Sequence, residues 1–159
     1  MCDVSDYVVN NLKEKELRFV VDLGNDIPDI LIGDYEKTRN VLTILLDNAI
    51  KHTKEGSITL SVDSFPYSDE NEKDMETINF TISDTGVGLT DEAMENLFEI
   101  QKSEGGRMNV SLTVAKKITE LLGGELVCDS TYGAGSTFTL SLSIFPKLFP
   151  NINNSSTFS

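Results

Sequence analysis

The order of the predicted helices and strands indicates an α+β fold. We expect a two-layer α/β sandwich, in which a mixed sheet is covered on one face by about three helices. Apolar residues at helical spacing and strand-like alternation follow one another as helix, strands, helix, strands, two helices, strands. A doubly wound parallel sheet would need regular alternation of strand and helix. The length of 159 residues suits one domain, and a hydrophobic content of 39% is enough for a core.

The first part of the chain predicts a helix, a strand and a long second helix. Residues 4–17 carry apolar side chains at helical spacing, and Leu17–Leu23 is rich in β-branched and aromatic residues. Asp34 is a suitable N-cap for a helix that ends near Thr53 and carries a wide apolar stripe. Gly56 follows as a stop signal.

Two strands and a third helix follow. Alternation of polar and apolar residues predicts strands over Ser57–Val62 and Thr77–Ser83. Between them, Asp63–Glu76 contains six acids and one lysine, and predicts a solvated surface loop. Thr90 is the expected cap of a helix over Asp91–Glu99.

The last part predicts a loop, a helix and a strand pair. Gln101–Met108 is polar and contains two adjacent glycines, which indicates a mobile loop. A helix is predicted over Val110–Leu122, with Gly123-Gly124 ending it, and strands over Glu125–Asp129 and Ser136–Ile144. The expected organisation is a helix or linker in residues 1–16, the domain in residues 17–146, and a disordered tail in residues 147–159.

Composition narrows the classes of function. The formal charge of −13 argues against nucleic acid as a partner, because such binding needs a basic surface. Cys2 and Cys128 have no metal-ligand spacing, and His52 is the single histidine, so we expect reduced thiols in a cytoplasmic setting. No apolar run approaches the ~20 residues of a membrane-spanning helix.

The first candidate motif is Asp84-Thr85-Gly86-Val87-Gly88, at the end of a predicted strand. Glycines allow a backbone to approach a flat ligand closely, and the carboxylate can accept a hydrogen bond from an amine. The alternative is an ordinary tight turn. The motif is neither a P-loop nor a dinucleotide fingerprint, since it lacks the lysine of the first and the third glycine of the second.

Two further elements carry candidate groups. Asn48 and Lys51 are three residues apart on the long helix, so an amide oxygen suited to Mg²⁺ and a cation suited to phosphate share a face. A solvated helix face is the alternative. Residues 133–138, Gly-Ala-Gly-Ser-Thr-Phe, predict a glycine-rich hairpin.

Taken together and in this order, these motifs resemble the GHKL ATPases, and within them the catalytic ATP-binding domain of histidine protein kinases. LLDNAIKHT resembles the N box, DTGVGL the first glycine box, GAGSTF the last one, and Phe98 the F-box aromatic residue. AKKITELLGGELVCDS is similar to the helix and strand after the second glycine box. The resemblance covers roughly Leu17 to Ile144.

The resemblance implies the Bergerat ATP-binding fold and a role for each motif. Asp84 would accept a hydrogen bond from the adenine amine, Gly86 and Gly88 would let the backbone approach the base, and Thr137 or Ser136 would support that end.

At the phosphate end, Asn48 would ligate Mg²⁺ and act in catalysis with Lys51, which would contact phosphate. Lys102 and Arg107 would be the cations of the lid. The γ-phosphoryl group would pass to a histidine on a separate dimerisation domain, and from there to a response regulator receiver domain. The chain resembles a monomeric piece of a larger sensor protein, and whether that parent is membrane-bound is left open.

Three departures affect the phosphate end. Ile44 stands four residues before Asn48, where the superfamily usually has a polar residue. The second glycine box is replaced by residues 109–112, Asn-Val-Ser-Leu, and the lid is short. A pseudokinase that signals by protein contacts is therefore the main alternative to an active kinase, and an ATPase of the anti-sigma or chaperone type is a third. His52 is expected to serve local packing or ligand contact.

Overall fold

A computed structural model describes residues 15–24, 35–66, 76–102, 108–109 and 111–144. Most of the predicted N-terminal helix, the expected cap Asp34, the lid residue Arg107 and the predicted tail lie outside these ranges. The strands are β1 Leu17–Leu23, β2 Gly56–Pro66, β3 Glu76–Asp84, β4 Gln101–Lys102, β5 Met108–Asn109, β6 Glu125–Thr131 and β7 Gly135–Ile144. The helices are α1 Tyr35–His52, α2 Asp91–Glu95 and α3 Ser111–Leu121.

Five of the strands form one mixed sheet in the order β1-β2-β3-β7-β6. β1 and β2 are parallel, which requires a long crossover connection, and α1 lies in that connection. The other neighbours in this sheet are antiparallel. The predicted fold class, a mixed sheet with helices in an α+β sandwich, is therefore confirmed.

The core lies between one face of this sheet and the helices. Alternate residues of β3 are buried, as expected for a strand with one face toward a core. α1 contributes a stripe of buried side chains at helical spacing: Val41, Leu42, Leu45, Leu46, Ala49 and Ile50. α3 packs beside α1, with Ala115 and Thr119 fully buried.

The predicted glycine stop of α3 is confirmed. Gly123 donates its N–H to Glu120 O, at 3.0 Å, and Gly124 donates its N–H to Thr119 O, also at 3.0 Å. These are the two bonds of a Schellman motif, which satisfies carbonyls at the end of a helix.

Several element boundaries differ from the prediction. β2 and β3 extend into the predicted acidic loop as far as the pair Pro66 and Glu76, because the antiparallel register continues past the apolar alternation. α2 stops at Glu95 instead of Glu99, because Asn96 leaves the helical conformation and donates its side-chain N–H to Glu92 O at 3.2 Å. The ends of the predicted loop at residues 101–108 pair as strands β4 and β5.

The predicted cap of α2 is confirmed, since the Thr90 hydroxyl accepts the Ala93 N–H at 3.2 Å. Of the helices within the described ranges, none combines the length and apolar character needed to cross a bilayer.

Candidate nucleotide-binding site

Asp84, the last residue of β3, is held in a fixed position at the edge of the core. The residue is 7% exposed. Its Oδ1 accepts the N–H of Gly86 at 2.9 Å and the N–H of Ser136 at 3.3 Å. A carboxylate has about four acceptor positions, so these two bonds on one oxygen leave acceptor capacity for a ligand.

The two glycines of the same motif are enclosed by neighbouring protein. A Cβ on Gly86 would lie 2.3 Å from the carbonyl oxygen of His52, and a Cβ on Gly88 would lie 2.2 Å from that of Thr131. The missing side chains therefore allow this turn to pack against the end of α1 and the β6–β7 hairpin. A contact of their backbone with a base remains a prediction.

The β6–β7 hairpin is joined to this turn by hydrogen bonds. Gly133 donates its N–H to Val87 O at 2.6 Å, and Leu89 donates its N–H to Ser130 Oγ at 2.8 Å. The Ser130 hydroxyl also donates to Gly135 O at 3.0 Å. The first and last glycine-rich motifs, about 50 residues apart in sequence, thus form one unit.

Thr137 and Ser136 were the two residues predicted to support the base. The structure places Ser136, and not Thr137, beside Asp84. Ser136 is paired with Asp84 across β3 and β7, is buried, and has its Oγ 2.8 Å from Ser130 Oγ. Successive residues of a strand point to opposite faces, and the Thr137 hydroxyl lies 3.0 Å from Ser83 Oγ on the face away from the core. The Thr137 side chain is therefore separated from Asp84 by the sheet.

A cavity of about 130 Å³ lies next to this turn, between α1, α2 and the start of α3. Asn48 and His52 line it from α1, one helical turn apart, and Glu99 adds a carboxylate. Its apolar lining comes from Leu89, Ala93, Leu97 and Leu112. Sites that bury a whole drug-sized ligand measure about 300–1,000 Å³, so this cavity can take only part of a nucleotide.

Sequence reasoning named Asn48 for this site but missed its apolar walls. Leu89 ends the first glycine motif and Leu97 directly precedes Phe98. Their positions next to these motifs were the sequence signal that could have identified them as lining residues. Asp84 does not line the cavity. The turn that follows Asp84 is joined to the cavity wall by one hydrogen bond. The carbonyl oxygen of the lining residue His52 accepts the Val87 N–H at 3.4 Å.

Of the predicted phosphate-binding cations, Lys51 is the one whose side chain the structure describes, and Lys51 does not line the cavity. Lys51 forms an ion pair with Asp47 at 3.0 Å, with 67% of the Lys51 side chain exposed. Lys102 lies in β4, where the backbone alone is described, and Arg107 is outside the described ranges. Ile44 packs against the core cluster and offers no polar atom. Within the described parts of the chain, no three His, Cys, Asp or Glu side chains form a candidate metal centre.

The predicted F-box residue Phe98 contacts α3 through a hydrogen bond and a cation–π interaction. The Thr113 hydroxyl donates to Phe98 O at 2.9 Å, and Lys116 Nζ lies 5.2 Å from the centre of the Phe98 ring. Lys116 also donates to Leu126 O at 2.9 Å. The segment after α2, which includes the lining residue Leu97, is thereby fixed relative to α3 and β6.

Cys128, in β6, carries a protonated thiol. Burial, together with smaller effects of the negative charges of Asp129 and Asp84, raises its pKa to about 12. The thiol is therefore a packing group and not a nucleophile.

Comparison with protein families gives one model that matches residues 33–145, described as histidine kinase-, DNA gyrase B- and HSP90-like ATPase. Among curated proteins, the chain is 34% identical over 141 residues to the sensor histidine kinase GacS of Pseudomonas protegens. It is 32% identical over 140 residues to the adaptive-response sensory kinase SasA of Crocosphaera subtropica. The matches cover 84% of this chain in both cases, but 15% of GacS and 34% of SasA.

Two solved structures have a similar fold. Full-length ShkA in complex with AMPPNP gives a TM-score of 0.72 at 20% identity, covering 89% of this chain and 28% of that one. The histidine kinase AdeS of Acinetobacter baumannii gives a TM-score of 0.67 at 22% identity, covering 90% of this chain and 64% of that one.

Proposed function

Because this chain belongs to the histidine kinase-, DNA gyrase B- and HSP90-like ATPase family, we propose that it is the ATP-binding domain of a sensor histidine kinase. One observation carries the proposal: the buried Asp84 carboxylate is held by Gly86 and Ser136, and the turn that follows it is hydrogen-bonded to His52, which lines a cavity together with Asn48. Such a carboxylate suits the exocyclic amine of adenine, which needs an acceptor.

At the base end, Asp84 accepts the adenine amine, and Ser136 keeps the carboxylate oriented through its backbone N–H. The apolar side chains Leu89 and Leu97 pack against the flat faces of the base, and exclude water from the hydrogen bond. Because Thr137 lies on the opposite face of the sheet, we assign it no contact with the base.

At the phosphate end, Asn48 would hold Mg²⁺ through its amide oxygen, since in proteins this ion is usually held by one or two side-chain oxygens and keeps several of its waters. When bound, Mg²⁺ neutralises phosphate charge, which matters in a chain of net charge −13. Lys51 can reach phosphate only by leaving Asp47, and an exposed pair of this kind contributes about 0–1 kcal/mol. Lys102 and Arg107 are proposed as further cations.

In the phosphorylation reaction, the γ-phosphoryl group moves from ATP to a ring nitrogen of a histidine on a separate dimerisation domain. The bond to the β-phosphate oxygen breaks, an N–P bond forms, and ADP leaves. Positioning and charge neutralisation supply most of the rate enhancement in such transfers. His52 is not the acceptor in this proposal, because it lines the nucleotide cavity itself. A receiver domain takes the phosphoryl group in the following step.

Titration calorimetry with Mg-ATP tests the binding proposal in the wild-type chain and in Asp84→Asn. Asparagine retains Oδ1 as the acceptor for Gly86 and Ser136, but it presents an amide N–H₂ to the base in place of an acceptor. Since hydrogen bonds to charged groups contribute about 1.5–3 kcal/mol, we expect affinity to fall at least about tenfold. Asp129→Asn, which neutralises an exposed acid of β6, is the matched control and should bind like wild type.

The absence of any heat or melting shift at millimolar Mg-ATP would overturn the proposed function. Equal affinity of wild type and Asp84→Asn would overturn the assignment of Asp84 to the base. EDTA should weaken ATP binding strongly if Asn48 shares a Mg²⁺ ion with the phosphates.

The pseudokinase alternative is favoured by one observation. Ile44, at a position where the superfamily usually has a polar residue, packs against the core and offers no polar atom to a nucleotide. Binding of Mg-ATP without phosphorylation of a supplied dimerisation domain, measured with radiolabelled ATP, would select this alternative.

A further inference from the structure

The last turn of α1 is held from outside the helix by Lys15. α1 ends at His52, and the carbonyl groups of the last turn of a helix have no partner within it. Lys15 donates from Nζ to Ile50 O at 2.5 Å and to Thr53 O, just after the helix, at 3.5 Å. An ammonium group suits this position, because the carbonyl end of a helix carries a partial negative charge.

The register of the sheet brings Lys15 to this place. Leu17, the first residue of β1, is paired in parallel with Gly56, the first residue of β2. β2 begins shortly after α1 ends, and Lys15 stands shortly before β1. The chain that enters β1 therefore runs past the C-terminal end of α1, although Lys15 and Ile50 are 35 residues apart in sequence.

The same turn of α1 forms part of the candidate nucleotide site. Asn48 and His52 line the cavity. The carbonyl oxygen of His52 accepts the Val87 N–H at 3.4 Å, which is so long for a hydrogen bond that a small displacement would break it. A shift of the last turn would therefore change both the wall of the cavity and the support of the turn that follows Asp84.

We propose that Lys15 is a positioning residue of the nucleotide site, which holds the last turn of α1 in the conformation that binds nucleotide. This inference rests on the proposed ATP-binding function and adds a coupling between the chain that enters β1 and the nucleotide. Withdrawal of Lys15 from the end of α1 weakens nucleotide binding. Because such coupling is reciprocal, bound nucleotide in turn stabilises the hydrogen bonds of Lys15.

Calorimetric titration with Mg-ATP and Mg-ADP tests this inference, at a temperature at which every variant is folded. We expect Lys15→Met to weaken both nucleotides by the same factor, about threefold to tenfold, because affinity falls with the population of the binding-competent conformation. Lys15→Arg retains a cation with N–H donors and should recover at least part of this loss. Lys54→Met removes one positive charge from an exposed residue near the same end of α1, and should bind within about twofold of wild type.

Chemical labelling measures the reverse direction of the coupling. Acetic anhydride modifies amines, and peptide mass mapping gives the rate at each lysine. Saturating Mg-ADP should slow the modification of Lys15 by a factor similar to the affinity loss in Lys15→Met. Lys117 on α3, whose side chain is 77% exposed, is the internal reference and should react at the same rate with and without nucleotide.

These measurements separate positioning from a purely structural role. If Lys15 only stabilises the fold, the folded Lys15→Met variant binds nucleotide with unchanged affinity, which overturns the inference and leaves the proposed function intact. An equal loss in Lys54→Met, no recovery in Lys15→Arg, or labelling of Lys15 that does not respond to Mg-ADP would also overturn it. If the wild-type chain binds no ATP, both the inference and the proposed function fail.

Discussion

Replacing Gly135 by alanine tests how tightly the last glycine-rich motif is packed against the Asp84 turn. Gly135 has a φ of +116°, and a Cβ there would lie 2.0 Å from the backbone oxygen of Asp84. Gly133 lies two residues earlier in the same hairpin turn, with a φ of +88°, and a Cβ there would meet nothing within 4 Å. The two positions therefore share the conformational penalty of a positive φ, but differ in packing.

The expected magnitudes follow from this difference. An L-residue in a left-handed conformation costs about 1–2 kcal/mol, which is the whole expected effect of Gly133→Ala. Gly135→Ala adds overpacking against backbone, which typically costs about 1–3 kcal/mol. We expect the free energy of unfolding to fall about 2 kcal/mol further in Gly135→Ala than in Gly133→Ala. For a domain of this size, the difference corresponds to about 4–8 °C in melting temperature.

Urea unfolding followed by circular dichroism measures both variants, with the midpoint reporting stability and the slope checking two-state behaviour. Mg-ATP affinity is then measured at a temperature at which both variants are folded. Gly133→Ala should bind within about twofold of wild type, and Gly135→Ala more weakly, because the Asp84 backbone must shift. Equal stability of the two variants would refute the packing argument.

Two further predictions concern a cysteine and a lysine. At pH 8, native Cys128 should react with iodoacetamide about 1,000 times more slowly than a thiol with the ordinary pKa of 9.0, because its pKa is raised to about 12. For the same reason, the free energy of unfolding should fall as pH rises above about 9, where the unfolded thiol ionises and the native thiol does not. Lys15→Met should lower the free energy of unfolding by about 1 kcal/mol, because Lys15 donates to Ile50 O at 2.5 Å and Thr53 O at 3.5 Å at the end of α1. Peptide mass mapping measures the rate at which Cys128 is alkylated, and urea unfolding measures both changes in the free energy of unfolding.

Matched comparisons make both results decisive. Alkylation of Cys128 in urea supplies the reference rate, and equal rates in native and unfolded protein would contradict the raised pKa. The exposed Lys54 is the control for Lys15. If Lys54→Met is as destabilising as Lys15→Met, the loss comes from net charge and not from the carbonyls of α1.

Local sequence signals predicted much of the fold. Periodicity located α1, α3 and the strands of the main sheet, because burial of one face imposes the period of the element. The cap Thr90 and the stop at Gly123 were predicted from residue type, since both act within a few residues. The ends of β2 and β3 were not predicted from residue type, because cross-strand pairing extends both strands into an acidic segment.

For the candidate site, the sequence identified the motifs but not their mutual positions. Asn48 and Lys51 were predicted to share a helix face, yet Lys51 pairs with Asp47 four residues earlier and Asn48 lines the cavity. Ser136 and Thr137 were interchangeable in sequence, and the register of β7 against β3 placed one on each face of the sheet.

The sequence by itself determined the order of elements, the composition of the core and the set of motifs, because these depend on the polarity and conformational preference of neighbouring residues. The tertiary structure alone decided which of those residues meet. Asp84 receives the N–H of Ser136, 52 residues away, and Thr53 approaches Gly86 only when α1 packs on the sheet. Strand register and helix packing set such distances, and both are properties of the assembled core.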